Sequence, residues 1–260
     1  MGQWFSKFFI DQGCTVNAYG RNGEKMKRIA RRLGITAARS ISDSVEGADI
    51  IVISVTPESF EKVVRQVAPH LRRGQYVIDI TSVKSGPVKA MHRHIKGALV
   101  LGTHPMFGPK RSAKGQNFIL TPSNPRERKF ASELASYLHQ RGFNPIIMSP
   151  KEHDRMISVV ISLTHFIGFV TADTWRMLHA QKFMREGSTS FRFLESFVDT
   201  IVDSNPELYS YLQTGVPNAY RAELIFARKS KEWSDLTRKK DNTELQKRMA
   251  ELKKYFSRLK

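Results

Sequence analysis

Two short stretches carry side chains able to move protons or hold a charged ligand. "DITSVKSGP" runs from Asp79 to Pro87 and "LGTHPMFGP" from Leu101 to Pro109. The first offers the Ser82 hydroxyl and the Lys84 amine. The second offers His104, an imidazole whose ordinary pKa near neutrality suits it to accept or give a proton. Lys110 and Arg111 follow directly and add two cations. Each stretch ends an apolar run with the character of a strand, so both are expected to project from the carboxyl edge of one sheet, where ligands bind in open α/β folds. Taken singly, these residues have plainer readings. A histidine after a strand commonly serves structure, Ser82 can close a turn, and Lys84, His92 and His94 read as solvated or turn residues.

The surrounding pattern supplies such a sheet. Strand-like runs at "TVNAYG" (Thr15 to Gly20), "ADIIVISV" (Ala48 to Val55), "QYVIDITSV" (Gln75 to Val83), "ALVLGTHPM" (Ala98 to Met106) and "PIIM" (Pro145 to Met148) alternate with helical segments. The helices are "EKMKRIARRLG", stopped by Gly34, one opened by Pro57, and one at about residues 126–141. This order predicts a Rossmann-like, doubly wound parallel α/β sheet. At Ser149 the pattern changes: "SPKE" joins a capping serine, a first-turn proline and a glutamate three residues on, a capping box that opens a long helix. Only helical periods follow. The expected division is therefore residues 1–150 as the α/β domain and 151–260 as an all-helical one. His153 and Asp154 read as residues of the helix start, and the apolar run "MISVVISLTHFIGFV" reads as a buried core helix, short of the roughly 20 residues that span a bilayer.

The first residues, "MGQWFSKFF", admit two readings. Met1-Gly2 with Ser6 fits a short myristoylation pattern. Trp4, Phe5, Phe8 and Phe9, however, have the spacing of a helix face packed on a sheet. On that second and preferred reading, Gly2 is the last glycine of a Gly-x-Gly-x-x-Gly turn, with a first strand expected about ten residues before Met1. After the next strand, Gly20 and Arg21 of "YGRNGEK" occupy the place where an acidic side chain would suit NAD and an arginine suits the extra phosphate of NADP; Arg21 favours NADP.

The whole chain bounds these expectations. Its 260 residues, 40% hydrophobic and 25% charged, can bury a sizeable core, and the net charge of +18 points to anionic partners. There is no basic and aromatic alternation that would stack bases, so nucleic acid is not expected as a partner, and neither is a membrane. A single cysteine, Cys14, excludes an internal disulfide or cysteine-rich zinc site, suits a reducing cytoplasm, and is expected to be buried packing. No metal site is expected.

Together the "SVK" turn and the "HPMFGP" string closely resemble the prephenate dehydrogenase family of tyrosine biosynthesis. So do "GQWF" at the start, "KEHDRMISVVISLTHF" at the domain boundary and "DSNPELYSYL" beyond it. The resemblance implies a nucleotide-binding domain, a helical dimerisation domain, a homodimer, and oxidative decarboxylation of prephenate with hydride transfer to NAD or NADP. It implies that His104 accepts a hydrogen bond and proton from the substrate hydroxyl, that Ser82 orients both, and that His165 lines the pocket. Gly2, Arg21, Ser54, Thr56 and Lys84 are the implied cofactor contacts.

The chain departs from the family at Thr200, where many bacterial members carry a carboxylate-binding arginine. Arg192, Lys110 and Arg111 are the candidate replacements, with Arg192 preferred because a guanidinium pairs bidentately. The departure leaves arogenate open as substrate, as does the choice of another small hydroxy acid. A non-catalytic, anion-binding remnant is the alternative from a different class.

Overall fold

The computed structural model describes residues 1–203 and 205–259. They form two compact units, Met1–Met156 and Ile157–Lys260. In the first, helix α1 (Gly2–Asp11) ends before Gly13, whose φ of 78° reverses the chain into the short strand β1 (Asn17–Ala18). Helix α2 (Gly23–Leu33) starts on the side-chain cap of Asn22 and stops at left-handed Gly34. Then come β2 (Thr36–Ala37), α3 (Ile41–Val45), β3 (Ile50–Ile53) and α4 (Pro57–Val67), whose proline takes the tolerant first position. The unit continues with β4 (Tyr76–Asp79), α5 (Ser85–His94), β5 (Leu99–Pro105), β6 (Asn117–Thr121), α6 (Pro125–His139) and β7 (Asn144–Ile147).

Five strands make one sheet in the order β3-β4-β5-β6-β7, and β1 pairs with β2 in a separate two-stranded sheet. All pairs are parallel except β5 with β6, so the sheet is mixed rather than wholly parallel. The strand β6, "NFILT", has no counterpart in the sequence-based expectation. It pairs Gly102 with Thr121 and His104 with Ile119. Gly102 is required there: a Cβ would collide with the Thr121 hydroxyl and with Val88.

Side chains alternate across a strand, and the two cores show it. Val77 and Val100 join Ile53, Phe60, Val64, Val88 and Met91 on the face covered by α4 and α5. Ile78 and Leu101 join Phe5, Phe118, Phe130, Leu138 and Phe143 on the face covered by α1 and α6. The aromatic residues of α1 pack as their spacing predicts. Trp4 lies 4.9 Å from the Phe107 ring in an edge-to-face contact and stacks on Phe8 at 5.5 Å. Cys14 is exposed, contrary to the expected buried packing, because it sits in the turn between α1 and β1 where no second layer covers it.

Helix α7 (Pro150–Ile157) opens on the capping box read from the sequence. Glu152 N donates to Ser149 Oγ at 3.2 Å, and Ser149 N donates to Glu152 Oε2 at 2.8 Å. A π-helical turn (Ser158–Leu163) leads into α8 (Thr164–Met177), followed by a 3₁₀ segment (Ala180–Glu186), α9 (Thr189–Val202), α10 (Pro206–Thr214), α11 (Ala219–Lys239) and α12 (Asn242–Ser257). Gly168 of α8 lies against Ile201 of α9 so closely that a Cβ would fall 2.8 Å from the isoleucine Cγ1.

The apolar run is not the buried core helix its composition suggested. Val159 and Val160 are 52% and 51% exposed. The helical stretch Pro150–Met177 also has the length and composition to cross a bilayer, so its apolarity exceeds what the single chain buries.

Candidate functional site

At the carboxyl ends of β4 and β5 a set of buried polar side chains closes on itself. Asp79, the last residue of β4, is wholly buried, and its carboxylate is surrounded by donors. Oδ1 accepts from the Thr103 backbone at 3.2 Å. Oδ2 accepts from the Thr81 backbone at 3.0 Å, from the Thr81 hydroxyl, and from the Lys84 ammonium, which forms an ion pair with it. Lys84 is fully buried, and its Nζ also donates to Thr81 Oγ1 at 3.0 Å and to the Thr103 carbonyl at 2.6 Å. All three ammonium hydrogens are thus spent inside the protein. The reading of Lys84 as a solvated residue or a cofactor contact is corrected: paired burial beside Asp79 makes it a brace between the ends of β4 and β5. Burial pulls its pKa down, and Asp79 opposes the fall.

A second chain of contacts starts from α7. Asp154 Oδ1 accepts from the Lys84 backbone N–H at 2.7 Å, and Oδ2 from that of Ser85 at 2.8 Å. The carboxylate thereby ties α7 to the first turn of α5. Burial would raise the Asp154 pKa, but the bonds from His153, Ser85 and Lys84 outweigh it and hold the group below the usual carboxylate range. His153 Nδ1 lies 2.9 Å from Asp154 Oδ1, and His153 Nε2 lies 2.9 Å from His104 Nδ1. His153 and Asp154 do more than begin a helix, which corrects the sequence reading of them. Their contact with His104 is what sequence reasoning missed; the signal available was the acid and imidazole lying adjacent in "KEHDR".

His104 is buried, with its pKa driven well below the ordinary histidine value by burial first, and next by the nearness of His153, whose own protonation would compete, and of the Lys84 charge. His153 is lowered too, by burial, against the pull of Asp154. Both rings are therefore neutral near pH 7. Ser82 stands half-buried on the turn between Asp79 and Lys84, on the same edge as His104. Lys110 and Arg111 are exposed in the loop after β5, which the Trp4 indole holds by donating to the Arg111 carbonyl at 2.9 Å.

The expected cofactor positions are compatible with a dinucleotide. Met1 caps α1 without a side-chain bond, so the first N–H groups of that helix have no side-chain cap. A Cβ on Gly2 would lie 3.1 Å from Ser54 Oγ, so glycine keeps the approach between the α1 terminus and the end of β3 open. Thr56 caps α4, also without a side-chain bond to the helix, and Arg21 is exposed after β1 beside the Asn22 cap. Ser54 and Thr56 follow the carboxyl end of β3, in the same five-stranded sheet as the His104 strand.

In the helical unit, His165 of α8 is half-buried, with its ring 4.2 Å from that of Tyr209 and its Nδ1 without a partner. Burial lowers its pKa to about 4. Arg192 of α9 is exposed and engaged with Glu195 at 2.8 Å and with the Arg185 carbonyl at 3.1 Å. Thr200 lies on the same helix, its hydroxyl bonded to the Ser196 carbonyl at 2.9 Å. No cluster able to hold a metal ion occurs among the described residues.

Comparison with known proteins gives the family to which the chain is similar. Residues 5–147 match the profile "Prephenate dehydrogenase, nucleotide-binding domain", and residues 149–251 match "Prephenate dehydrogenase, dimerization domain". A probable arogenate/prephenate dehydrogenase of Methanocaldococcus jannaschii is 32% identical over 98% of this chain, which spans 58% of that relative's length. A chloroplastic arogenate dehydrogenase of Arabidopsis thaliana is 27% identical over 64% of this chain and 27% of its own. Among solved structures, the prephenate dehydrogenase from A. aeolicus in complex with hydroxyphenyl propionate and NAD+ superimposes with a TM-score of 0.78 at 20% identity. The alignment covers 100% of this chain and 95% of that one. Synechocystis arogenate dehydrogenase superimposes with 0.75 at 18% identity, over 98% and 96%. At these identities the structural likeness speaks for the fold.

Proposed function

The chain belongs to the prephenate dehydrogenase family, and from that premise we propose that it oxidatively decarboxylates prephenate, using His104 as the proton acceptor. The observation that carries the reading is His104 itself: a buried, neutral imidazole at the carboxyl edge of the sheet, with Nδ1 engaged by His153 and Nε2 left for a ligand.

A nicotinamide dinucleotide held by the Gly2, Ser54 and Thr56 positions would supply the hydride acceptor for the hydroxyl-bearing carbon. As that hydride leaves, positive charge spreads onto the hydroxyl oxygen and makes its proton acidic. His104 Nε2 accepts the proton in the hydrogen bond, and Ser82, on the adjacent turn, orients the hydroxyl. The ring carboxylate departs as carbon dioxide, its carbon–carbon bonding pair enters the ring, and aromatisation drives the step. The proton then returns to the ring oxygen, so the product is a phenol and no net proton is left on the protein.

Prephenate rather than arogenate is the preferred substrate on this reading, because exposed Lys110 and Arg111 beside the His104 strand favour the more anionic molecule, with Arg192 as the helical unit's candidate cation. Arg21 favours NADP over NAD by its charge. The helical unit is assigned to a homodimer, which supplies cover for the exposed valines of the π-helical turn; the family profile that matches this unit is described as a dimerization domain. An exposed thiol at Cys14 fits a reducing cytoplasm.

Cofactor reduction measured with prephenate and with arogenate, each with NAD and with NADP, tests the reading. Turnover of prephenate is expected, and His104→Asn should lower kcat by about 10² to 10⁴ while cofactor binding persists. No reduction with either substrate would overturn it.

A further inference from the structure

The hydrogen bonds around His104 have a direction, set by Asp154. This carboxylate is an acceptor only, held ionised by two backbone N–H groups. The neighbouring His153 Nδ1, 2.9 Å away, must therefore carry a hydrogen and donate it. Neutral His153 then has a bare Nε2, which can only accept. His104 Nδ1 faces that nitrogen at 2.9 Å and so must be the donor. Neutral His104, having its one hydrogen on Nδ1, is left with a bare Nε2. Every other assignment of the two neutral rings sets two lone pairs or two hydrogens against each other at one of these contacts.

We propose that Asp154 and His153 are positioning residues that lock His104 in the tautomer with Nε2 unprotonated, the form able to accept a proton from the substrate hydroxyl. The inference rests on the dehydrogenase reading of the site but concerns a property of the free protein. The charged groups around the pair come from each packed element: Asp79 at the end of β4, Lys84 from the following turn, and Asp154 from α7. Lys84 disfavours a positive charge on either ring, whereas Asp154 favours it. When His104 Nε2 gains the substrate proton, its Nδ1 hydrogen stays bonded to His153, and Asp154 supports the added charge through that ring. The proton goes back to the ring oxygen by the same Nε2, so neither positioning residue exchanges it.

Asp154→Ala releases the lock. The oxygen that faces His153 also accepts from the Lys84 backbone N–H, so an asparagine would keep its carbonyl there and preserve the native tautomer, whereas alanine removes the acceptor altogether. His153 is then free to carry its hydrogen on either nitrogen, and His104 is no longer confined to the form with a bare Nε2.

The experiment uses the full chain with isotope-labelled histidine nitrogens, read by NMR without substrate, together with steady-state kinetics. In the native protein His104 is expected to carry its hydrogen on Nδ1, and in Asp154→Ala to populate the Nε2-protonated form as well. A native His104 with a protonated Nε2 overturns the proposal whatever the kinetics show, and so does an unchanged tautomer in the variant. Should Asp154→Ala not fold, the native measurement decides alone. With turnover established, kcat of Asp154→Ala should fall at least about 10-fold with KM nearly constant. His153→Gln, whose carbonyl can still accept from His104, should keep clearly more activity than His153→Leu. Equal losses in these two, or a change confined to KM, overturn the proposal. Lack of turnover in the native protein while the tautomer is as expected counts against the dehydrogenase reading and leaves the lock standing.

Discussion

The buried polar set around Asp79 in the α/β unit and the buried polar atoms of the helical unit are handled in opposite ways. In the α/β unit each donor around Asp79 meets an acceptor, and the set extends without interruption through Lys84 and Asp154 to His104. Among the described residues of the helical unit three buried side-chain polar atoms have no partner: His165 Nδ1, Gln213 Oε1 and Glu223 Oε1. Gln213 uses its amide hydrogens on the Ser162 carbonyl at 3.1 Å, and Ser162 donates to Leu212 at 2.8 Å, so even the bonded groups there serve the backbone. Burial holds His165 neutral and pushes the Glu223 carboxyl up. A satisfied set fixes geometry before a ligand arrives; an unsatisfied one keeps bonding capacity in reserve. The chemistry assigned to His104 requires the first property, and a pocket wall such as that proposed for His165 gains from the second.

The contrast breaks most visibly at Lys84. Lys84→Met leaves Asp79 as an uncompensated buried charge and should cost about 3 to 5 kcal/mol in urea unfolding. A midpoint within error of native would show that the brace is not buried in solution. Next comes the packing that holds the helical unit together. Gly168→Val drives two methyl groups into Ile201 and should cost about 1 to 3 kcal/mol by the same measurement.

His165→Phe sharpens the comparison from the unsatisfied side. The ring contact with Tyr209 is kept and no protein hydrogen bond is lost, so stability at neutral pH should shift by less than about 1 kcal/mol. Its pH dependence should change more clearly. Burial holds the folded pKa of His165 at about 4, below the ordinary histidine value of 6.5. Between those values the unfolded chain binds the proton and the folded one does not, so native stability falls as pH drops through that window. The variant should show a shallower acid decline; an identical slope would place the titrating group elsewhere. The smallest effect belongs to the exposed Arg192–Glu195 pair, where Arg192→Ala should alter stability by less than about 0.5 kcal/mol. A rise in substrate KM in that variant, with kcat unchanged, would assign its guanidinium to carboxylate binding.

What could be read from the sequence follows the range of the physics involved. Strands β3, β4 and β5 announce themselves as apolar runs, and the Ser149 and Glu152 cap is complete within four residues, so both were legible. Strand β6 was not: five residues of ordinary composition become a strand because β5 lies open beside them in antiparallel register. Lys84 and Asp154 were misread for a similar reason. Their bonds depend on the folded arrangement: the Asp154 carboxylate meets the Lys84 backbone 70 positions away, and His153 meets His104 49 positions away. Composition assigns lysine to the surface, and only the closed set of bonds around Asp79 explains its burial. The exposed valines after Ile157 mark the same limit from the other side, since apolarity records that a surface will be covered and not what covers it.

The Trp4 indole gives the chain an optical readout of its own. The ring lies against Phe107 and donates to the carbonyl of Arg111, so it is in direct contact with the segment that leaves the His104 strand. Any ligand that draws Lys110 and Arg111 toward itself must change the polarity and quenching that this fluorophore feels. The chain holds only two other tryptophans, Trp175 and Trp233, both in the helical unit. A variant with those two replaced by phenylalanine would therefore report, through emission wavelength and lifetime alone, when the loop beside the histidine moves.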